Sequence, residues 1–306
     1  MFGRRADGRR LRGVDPIVQI TPYLMPMRCD AQVFLSHRLD YEKLARYIAK
    51  KNQEGEKITF MQIIMAAYVR GISQNPEINR FIFNKQYYAR NNCSMAFTAL
   101  KNPQDFHSNE TTVRLEFDLT DTLFDVRDRM IAGVEKARAT EDGDFVIRLA
   151  RAVLAIPGLC TVIVLLYRLL DRYGLLPRAL IRELPFYCGC FITNNASIGL
   201  NHVWHHIYNF GNVSMFIGMG NLPKEAAADP DGKARMKRWL PLGLTVDERV
   251  CSGAHYAAFF ATVTEMLAHP ERLETPPESV RFDPGVEYHV PKVKEAESDS
   301  GKAEKP

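Results

Sequence analysis

The chain has 306 residues, 46% of them hydrophobic and 25% charged, the balance of a globular protein long enough for one large core or two small ones. Its formal charge of +4 sits at one end: residues 1–12 carry five arginines (Arg4, Arg5, Arg9, Arg10 and Arg12) against Asp7, which leaves 35 basic and 35 acidic residues over 13–306. A neutral body excludes nucleic acid as the expected partner, and residues 1–19 read as a solvated basic arm able to touch phosphate or an anionic membrane surface.

Behind the arm, strand and helix signals are mixed. Residues 32–35 read as strand, and Asp40 is placed to cap a helix whose Leu44, Tyr47 and Ile48 recur at helical spacing. Thr59 caps the next helix, with Gln62 at the capping-box position and Ile63, Ile64, Ala67 and Ile72 along its apolar face, ending near Asn75-Pro76. Short strands follow at 81–83 and 87–89, joined at Asn84-Lys85, then longer ones at 93–100 and 113–118. Asp121 opens a helix reaching about Ala139, and 144–183 reads as helix in two or more pieces, broken at Pro157-Gly158 and at 174–177. Strands return at 189–194, 213–218 and 242–247, and Ser252 caps a last long helix over 254–268. Without strict βαβ alternation, this order points to an α/β sandwich rather than a doubly wound sheet. Residues 292–306 hold no aromatic residue, so a disordered charged tail over 291–306 is expected behind a single domain spanning 20–290.

Six cysteines (Cys29, Cys93, Cys160, Cys188, Cys190 and Cys251) are spread through a chain whose first residues have charge but no apolar secretory core. Reduced thiols and a cytoplasmic location are therefore expected rather than a disulfide framework. Cys188-Gly189-Cys190 would place both thiols on one face of a strand. It lacks the partner spacing of a zinc site, so no metal is expected. Between Arg151 and Arg168 run sixteen uncharged, mostly apolar residues, interrupted by Pro157-Gly158. A spanning helix needs about 20. Two buried helix pieces, or a helix against a partner subunit, are the first reading, and peripheral membrane contact through 145–180 is the alternative.

The segment that carries function is 242–273, LGLTVDERVCSGAHYAAFFATVTEMLAHPERL. A strand running into Asp247-Glu248-Arg249-Val250-Cys251-Ser252-Gly253 and then a helix resembles the Asp-His-Arg-x-x-Asp-Gly end of the acyltransferase core of 2-oxoacid dehydrogenase complexes. It also resembles the His-x-x-x-Asp-Gly element of chloramphenicol acetyltransferase. ITFMQIIMAAYVRGISQNPEINRFIF (58–83) is similar to the early helix and Pro-Glu-x-Asn turn of that superfamily. GCFITNNASIGLNHVWHHIYNFGNVSMFIGMG (189–220) is similar to its Gly-x-Phe-x-x-Ser-Asn strand, Gly-rich turn and closing Gly-x-Gly strand. The resemblance covers about residues 20–275. It implies the chloramphenicol acetyltransferase-like fold, a two-layer sandwich with helices packed on a mixed sheet. It further implies a homotrimer with its sites at subunit interfaces, a coenzyme A thioester as co-substrate and no permanently bound cofactor. No lipoyl or subunit-binding module precedes the matching segments, so the chain is expected to stand outside the usual core of a dehydrogenase complex.

Two residues depart from the family pattern. Its catalytic histidine falls on Glu248 and the aspartate of its Asp-Gly pair on Ser252, while Asp247, Arg249 and Gly253 stay in place. The strand serine or threonine that assists the oxyanion falls near Asn194, with Thr193 beside it. Acyl transfer needs a base for the acceptor's proton and a donor facing the carbonyl oxygen. A glutamate starts at about 4.3 against about 6.5 for histidine, and burial in an inter-subunit channel would raise it. The structural alternative pairs Glu248 with an arginine, Arg249 or one on a neighbouring subunit. His202, His205 and His206 lie in the turn after the oxyanion strand, where His205 or His206 could supply the imidazole that position 248 lacks. His255 projects from the first turn of the last helix toward the same channel. Cys251 sits where the family has a buried residue and is expected to be inert. Two functions remain open: an acyltransferase acting on a small acceptor, and a non-catalytic trimeric scaffold or binding protein that retains the fold.

Overall fold

The computed structural model describes residues 5–101, 110–139, 151–221, 224–228 and 231–283. A short strand β1 (Gly8–Arg10) and a helix α1 (Pro16–Leu24) lead to the edge strand β2 (Gln32–Asp40) and two helices, α2 (Tyr41–Gln53) and α3 (Phe60–Gln74). The hairpin β3 (Arg80–Phe83) and β4 (Gln86–Arg90) turns at Asn84 and Lys85, both at positive φ (46° and 60°), the backbone of a tight two-residue hairpin loop. Then come β5 (Cys93–Leu100), β6 (Glu110–Phe117) and α4 (Leu123–Ala139), followed by α5 (Leu159–Arg172) and α6 (Arg178–Glu183). The chain closes with β7 (Cys190–Asn194), β8 (Met215–Met219), β9 (Lys224–Ala228), β10 (Ala234–Asp247) and α7 (Gly253–Ala268).

The main sheet runs β2-β10-β8-β7-β5-β6, with β9 paired to the outer half of β10, while β1, β4 and β3 form a small second sheet. The inner strands β5, β7 and β8 are parallel and the outer pairs antiparallel, so the sheet is mixed. Alternate residues of these strands, among them Met95, Cys190, Ile192, Met215, Ile217, Leu244 and Val246, point into one core under α3 and α7. Helix α3 is apolar almost all round because the sheet, α4 and α7 all pack against it. Its N-terminus has the complete capping box of Thr59 and Gln62. Gly71 lets α3 and α7 approach: a Cβ there would lie 2.5 Å from the Phe259 ring and 2.8 Å from Val263. This is the two-layer α/β sandwich that the sequence predicts.

The second face of the sheet carries Ala96, Phe191 and Phe216, which pack with Cys188, Ile207 and Val213 from the chain between β7 and its neighbours. The extended stretch 201–208 lies flat across this face. Gly218 and Gly243, on paired strands, make room for it, since a Cβ at either would strike the Val203 carbonyl.

Several expectations are corrected. The basic arm is solvated only in part: Arg9, Arg10 and Arg12 are exposed, but β1 adds to β4, and Arg5 is buried between Asp7 (2.9 Å) and Asp171 (2.7 Å) with its guanidinium over the Phe83 ring. Asn212 joins the same network, donating to Asp7 and accepting from the buried Arg90 at 2.6 Å. Each of these charges is paired or hydrogen-bonded, which is what permits its burial. Cys188 and Cys190 lie on opposite faces of the sheet, because the strand begins only at Cys190. Thr122 rather than Asp121 caps α4, through reciprocal bonds with Asp125. The apolar run 152–167 is not buried: in α5, Val162, Leu165, Leu166 and Leu169 are each more than half exposed, and Tyr167, Leu170 and Asp171 face the domain. No helix among the described residues is long and apolar enough to cross a membrane. The tail 291–306 and residues 144–150 lie outside the described residues.

Candidate active site

The turn between β10 and α7 is fixed by a buried charge. Asp247, 1% exposed, receives the Nε and Nη2 donors of Arg249 at 2.8 and 2.7 Å, and the Arg28 guanidinium stands 3.7 Å away. Burial pulls Arg28 down to about 10, with Asp247 acting in the opposite direction. Arg249 also donates to the Met25 carbonyl at 2.8 Å, and Arg28 to those of Tyr208 (2.6 Å) and Gly211 (3.1 Å). Three stretches distant in sequence (25–29, 208–211 and 247–249) thus form one braced unit. Sequence reasoning missed Arg28, since it sits in no motif and its partners lie about two hundred residues away.

Glu248 stands between two buried neighbours and is itself exposed. Its backbone N–H bonds the Ala31 carbonyl at 2.9 Å, and its carboxylate makes no hydrogen bond or ion pair among the described residues. The expected pairing with Arg249 is overturned, because Arg249 is committed to Asp247. Ser252 holds the N-cap position of α7 by its backbone, but its hydroxyl does not cap; it meets His255 Nδ1 at 2.7 Å. Gly253 begins the helix with open space beside it. Cys251 is buried, which pushes its thiol up to about 12 and keeps it unreactive.

The remaining candidates make contacts of their own. Asn194, at the end of β7, accepts from the Ser197 N–H at 3.3 Å, and the Thr193 hydroxyl is 3.3 Å from Asn195 Oδ1. His205 stacks on Phe216 at 4.1 Å and on His206 at 4.6 Å, with its Nδ1 2.8 Å from the His206 carbonyl. His202 Nδ1 meets Asn201 Oδ1 at 3.0 Å. None of these side chains bonds Glu248. The two regions connect through Gln32, which pairs with Asp247 across the β2–β10 ladder and accepts from the Ile207 N–H at 2.6 Å. No group of three or more metal-ligating side chains occurs among the described residues.

This architecture defines a class. Residues 189–275, from the start of β7 through α7, match the 2-oxoacid dehydrogenases acyltransferase (catalytic domain) family. The fold is similar to the cubic core of the pyruvate dehydrogenase multienzyme complex, with a TM-score of 0.55 and 14% identity, covering 87% of this chain and 94% of that one. The dihydrolipoamide acetyltransferase of Azotobacter vinelandii is similar at a TM-score of 0.52 and 13% identity, covering 87% of this chain and 94% of that one. A chloramphenicol acetyltransferase is similar at 0.50 and 12%, covering 85% and 99%. No curated protein matches the chain by sequence. The fold is therefore chloramphenicol acetyltransferase-like, and the family resemblance holds in sequence over the segment that carries the 247–253 turn.

Proposed function

We propose that the protein is a cytoplasmic acyltransferase that moves an acyl group from a thioester, acyl-coenzyme A, to a small hydroxyl, amine or thiol acceptor, with Glu248 as base. The observation that carries this reading is the presentation of Glu248: it is an exposed carboxylate without a partner among the described residues, on a braced turn, inside the segment that matches an acyltransferase catalytic domain. Glu248 takes the proton of the acceptor as its heteroatom attacks the thioester carbonyl. The tetrahedral oxyanion collapses, the carbon–sulfur bond breaks, and the proton returns to the departing thiolate. The Thr193 hydroxyl or Asn194 amide stands for the oxyanion donor, and the exposed His206 is the alternative base. A free glutamate titrates at about 4.3. A neighbouring subunit of a homotrimer lying over the turn would desolvate it and raise its basicity.

The test is release of free coenzyme A from a panel of acyl-coenzyme A donors with amine, alcohol and dithiol acceptors. Glu248→Gln is expected to lower turnover about 10²-fold or more. A comparable loss in His206→Ala with Glu248→Gln unaffected would move the base to the histidine segment.

One observation favours a second reading, a non-catalytic trimeric scaffold or binding protein. Among the described residues, no hydrogen bond or ion pair joins Glu248 to Ser252, Asn194 or the three histidines. A folded trimer that neither turns over any donor nor binds coenzyme A would decide for the scaffold.

The exposed apolar side of α5 supports peripheral contact with an anionic membrane. Arg151, Arg168, Arg172, Arg178 and Arg182 are all exposed around it, whereas Asp171 is buried and Glu183 is the one exposed acid between residues 151 and 183. An apolar band with a basic rim matches the boundary between acyl chains and anionic headgroups.

A further inference from the structure

The chain leaving α1, the end of α5 and the turn of the β3–β4 hairpin meet around one basic pocket. It has a volume of about 290 Å³ and is lined by Arg28, Lys85, Arg172 and Arg249, with Met27 and Phe83 as apolar wall. Small-molecule clefts begin at about 300 Å³, so it has room for a compact headgroup and not for a larger ligand.

No acid among the described residues lines this pocket. Arg28 and Arg249 share Asp247, at 3.7 and 2.7 Å. Asp171, next to Arg172 in the chain, is committed to Arg5 at 2.7 Å and to the Tyr187 hydroxyl. Arg172 makes no hydrogen bond or ion pair among the described residues, and the Lys85 ammonium lies over the Tyr23 ring at 4.6 Å. Four cations therefore answer to one carboxylate, and two of them, Arg28 and Arg249, are buried and fixed in place. Burial, with the like charges of Arg249 and Arg90, pulls the Arg28 guanidinium below its ordinary value. An anion in the pocket would relieve that repulsion.

The flanks indicate what carries the anion. On one side Ile17, Ile20 and Leu24 recur at i, i+3 and i+7 along α1, each more than half exposed, and Met27 continues the stripe into the pocket. On the other, Leu165 and Leu169 stand seven and three residues before Arg172, on the same face of α5, and are also more than half exposed. Two outward apolar stripes thus run to one cationic pocket. A soluble anion would leave both stripes in water, whereas a phospholipid supplies a phosphate for the pocket and an apolar layer for its flanks.

We propose that this pocket takes the phosphate of an anionic phospholipid. Lys85 and Arg172 hold it at the mouth, Arg28 and Arg249 supply positive charge behind, and α1 and α5 lie against the acyl layer. The proposal rests on the membrane reading of α5 and adds to it a headgroup site and a second helix.

Dihexanoyl phosphatidic acid, kept below its micelle concentration, separates the pocket from the membrane. Calorimetry on the full chain should show it binding, inorganic phosphate binding at least tenfold more weakly, and dihexanoyl phosphatidylcholine not binding. Lys85→Gln/Arg172→Gln should weaken phosphatidic acid at least tenfold; both residues are exposed, and the melting temperature of the unliganded variant confirms its fold. The charge-matched variant Arg168→Gln/Arg178→Gln, outside the pocket, should change binding less than about twofold. Leu165→Glu/Leu166→Glu should abolish flotation on vesicles containing phosphatidic acid and leave binding of the soluble lipid intact, so the membrane reading and the pocket can fail separately. Absence of phosphatidic acid binding at millimolar concentration, or equal losses in the two charge variants, overturns the site. Phosphatidylcholine binding as tightly as phosphatidic acid does the same. Inorganic phosphate binding as tightly overturns the lipid in favour of a free anion.

Discussion

Replacing Asp247 by Asn keeps the shape of the side chain and removes the charge on which the site turn is built. The carboxylate is almost fully buried, and the guanidiniums it serves are 3% exposed (Arg249) and 6% exposed (Arg28). Breaking a buried pair by removing one partner costs about 3–5 kcal/mol, because the surviving charge stays buried without compensation. Arg249 would keep the Met25 carbonyl and Arg28 those of Tyr208 and Gly211, which sets the expectation at the lower end, about 3 kcal/mol. For a domain of this size that corresponds to a fall of roughly 6–12 °C in melting temperature. Urea and thermal unfolding measure it. A cycle with Arg249→Met tests the cause: the double variant should recover about 1–3 kcal/mol relative to the sum of the singles. A loss below about 1 kcal/mol for Asp247→Asn, in the range of a solvated surface pair, would refute the bracing argument. If the turn also sets the direction of Glu248, coenzyme A release by the variant should fall even well below its melting temperature.

The thiols give a second prediction. Only Cys29 and Cys160 are exposed, so Ellman's reagent at pH 8 should find two fast thiols in the native protein and all six after unfolding. A third fast thiol would show that the core opens more readily than its packing implies. Burial pushes Cys188 up to about 11 and Cys251 up to about 12, so the folded protein keeps protons that the unfolded chain releases above about 8.5. Stability should therefore fall as pH rises from 9 to 11, and a flat or rising profile would contradict those buried sites. For α5, the chain should float with vesicles containing phosphatidylserine and not with neutral ones. Leu165→Glu/Leu166→Glu should abolish this; flotation unchanged in that variant, or independent of lipid charge, would move the apolar face to a protein partner.

The parts of the fold that were legible in the sequence are those whose causes are local. The capping box at Thr59, the apolar run of α3, the turn at Asn84-Lys85 and the Asp247–Gly253 motif all state their structure within a few residues. Helix α1 was not legible: PIVQITPYL carries a proline within the helix and several β-branched residues, and nothing local argues for it. The arm misled for the opposite reason. Five arginines near a terminus look solvated until Asp171, 166 residues from Arg5, supplies a buried partner. The outward face of α5 shows that an apolar sequence reports what a surface prefers to touch, and the contact need not lie within the same chain.

At the site itself, the motif gave the position and the tertiary contacts gave the roles. Asp247 and Arg249 point inward and are satisfied by each other, so the residue between them is turned outward whatever its identity. A histidine or a glutamate at position 248 would be presented on the same turn, and the replacement changes the chemistry of the group rather than its placement. Ser252 changes more: where the family has an aspartate, this chain has a hydroxyl that engages His255 and leaves the first N–H groups of α7 without a side-chain cap.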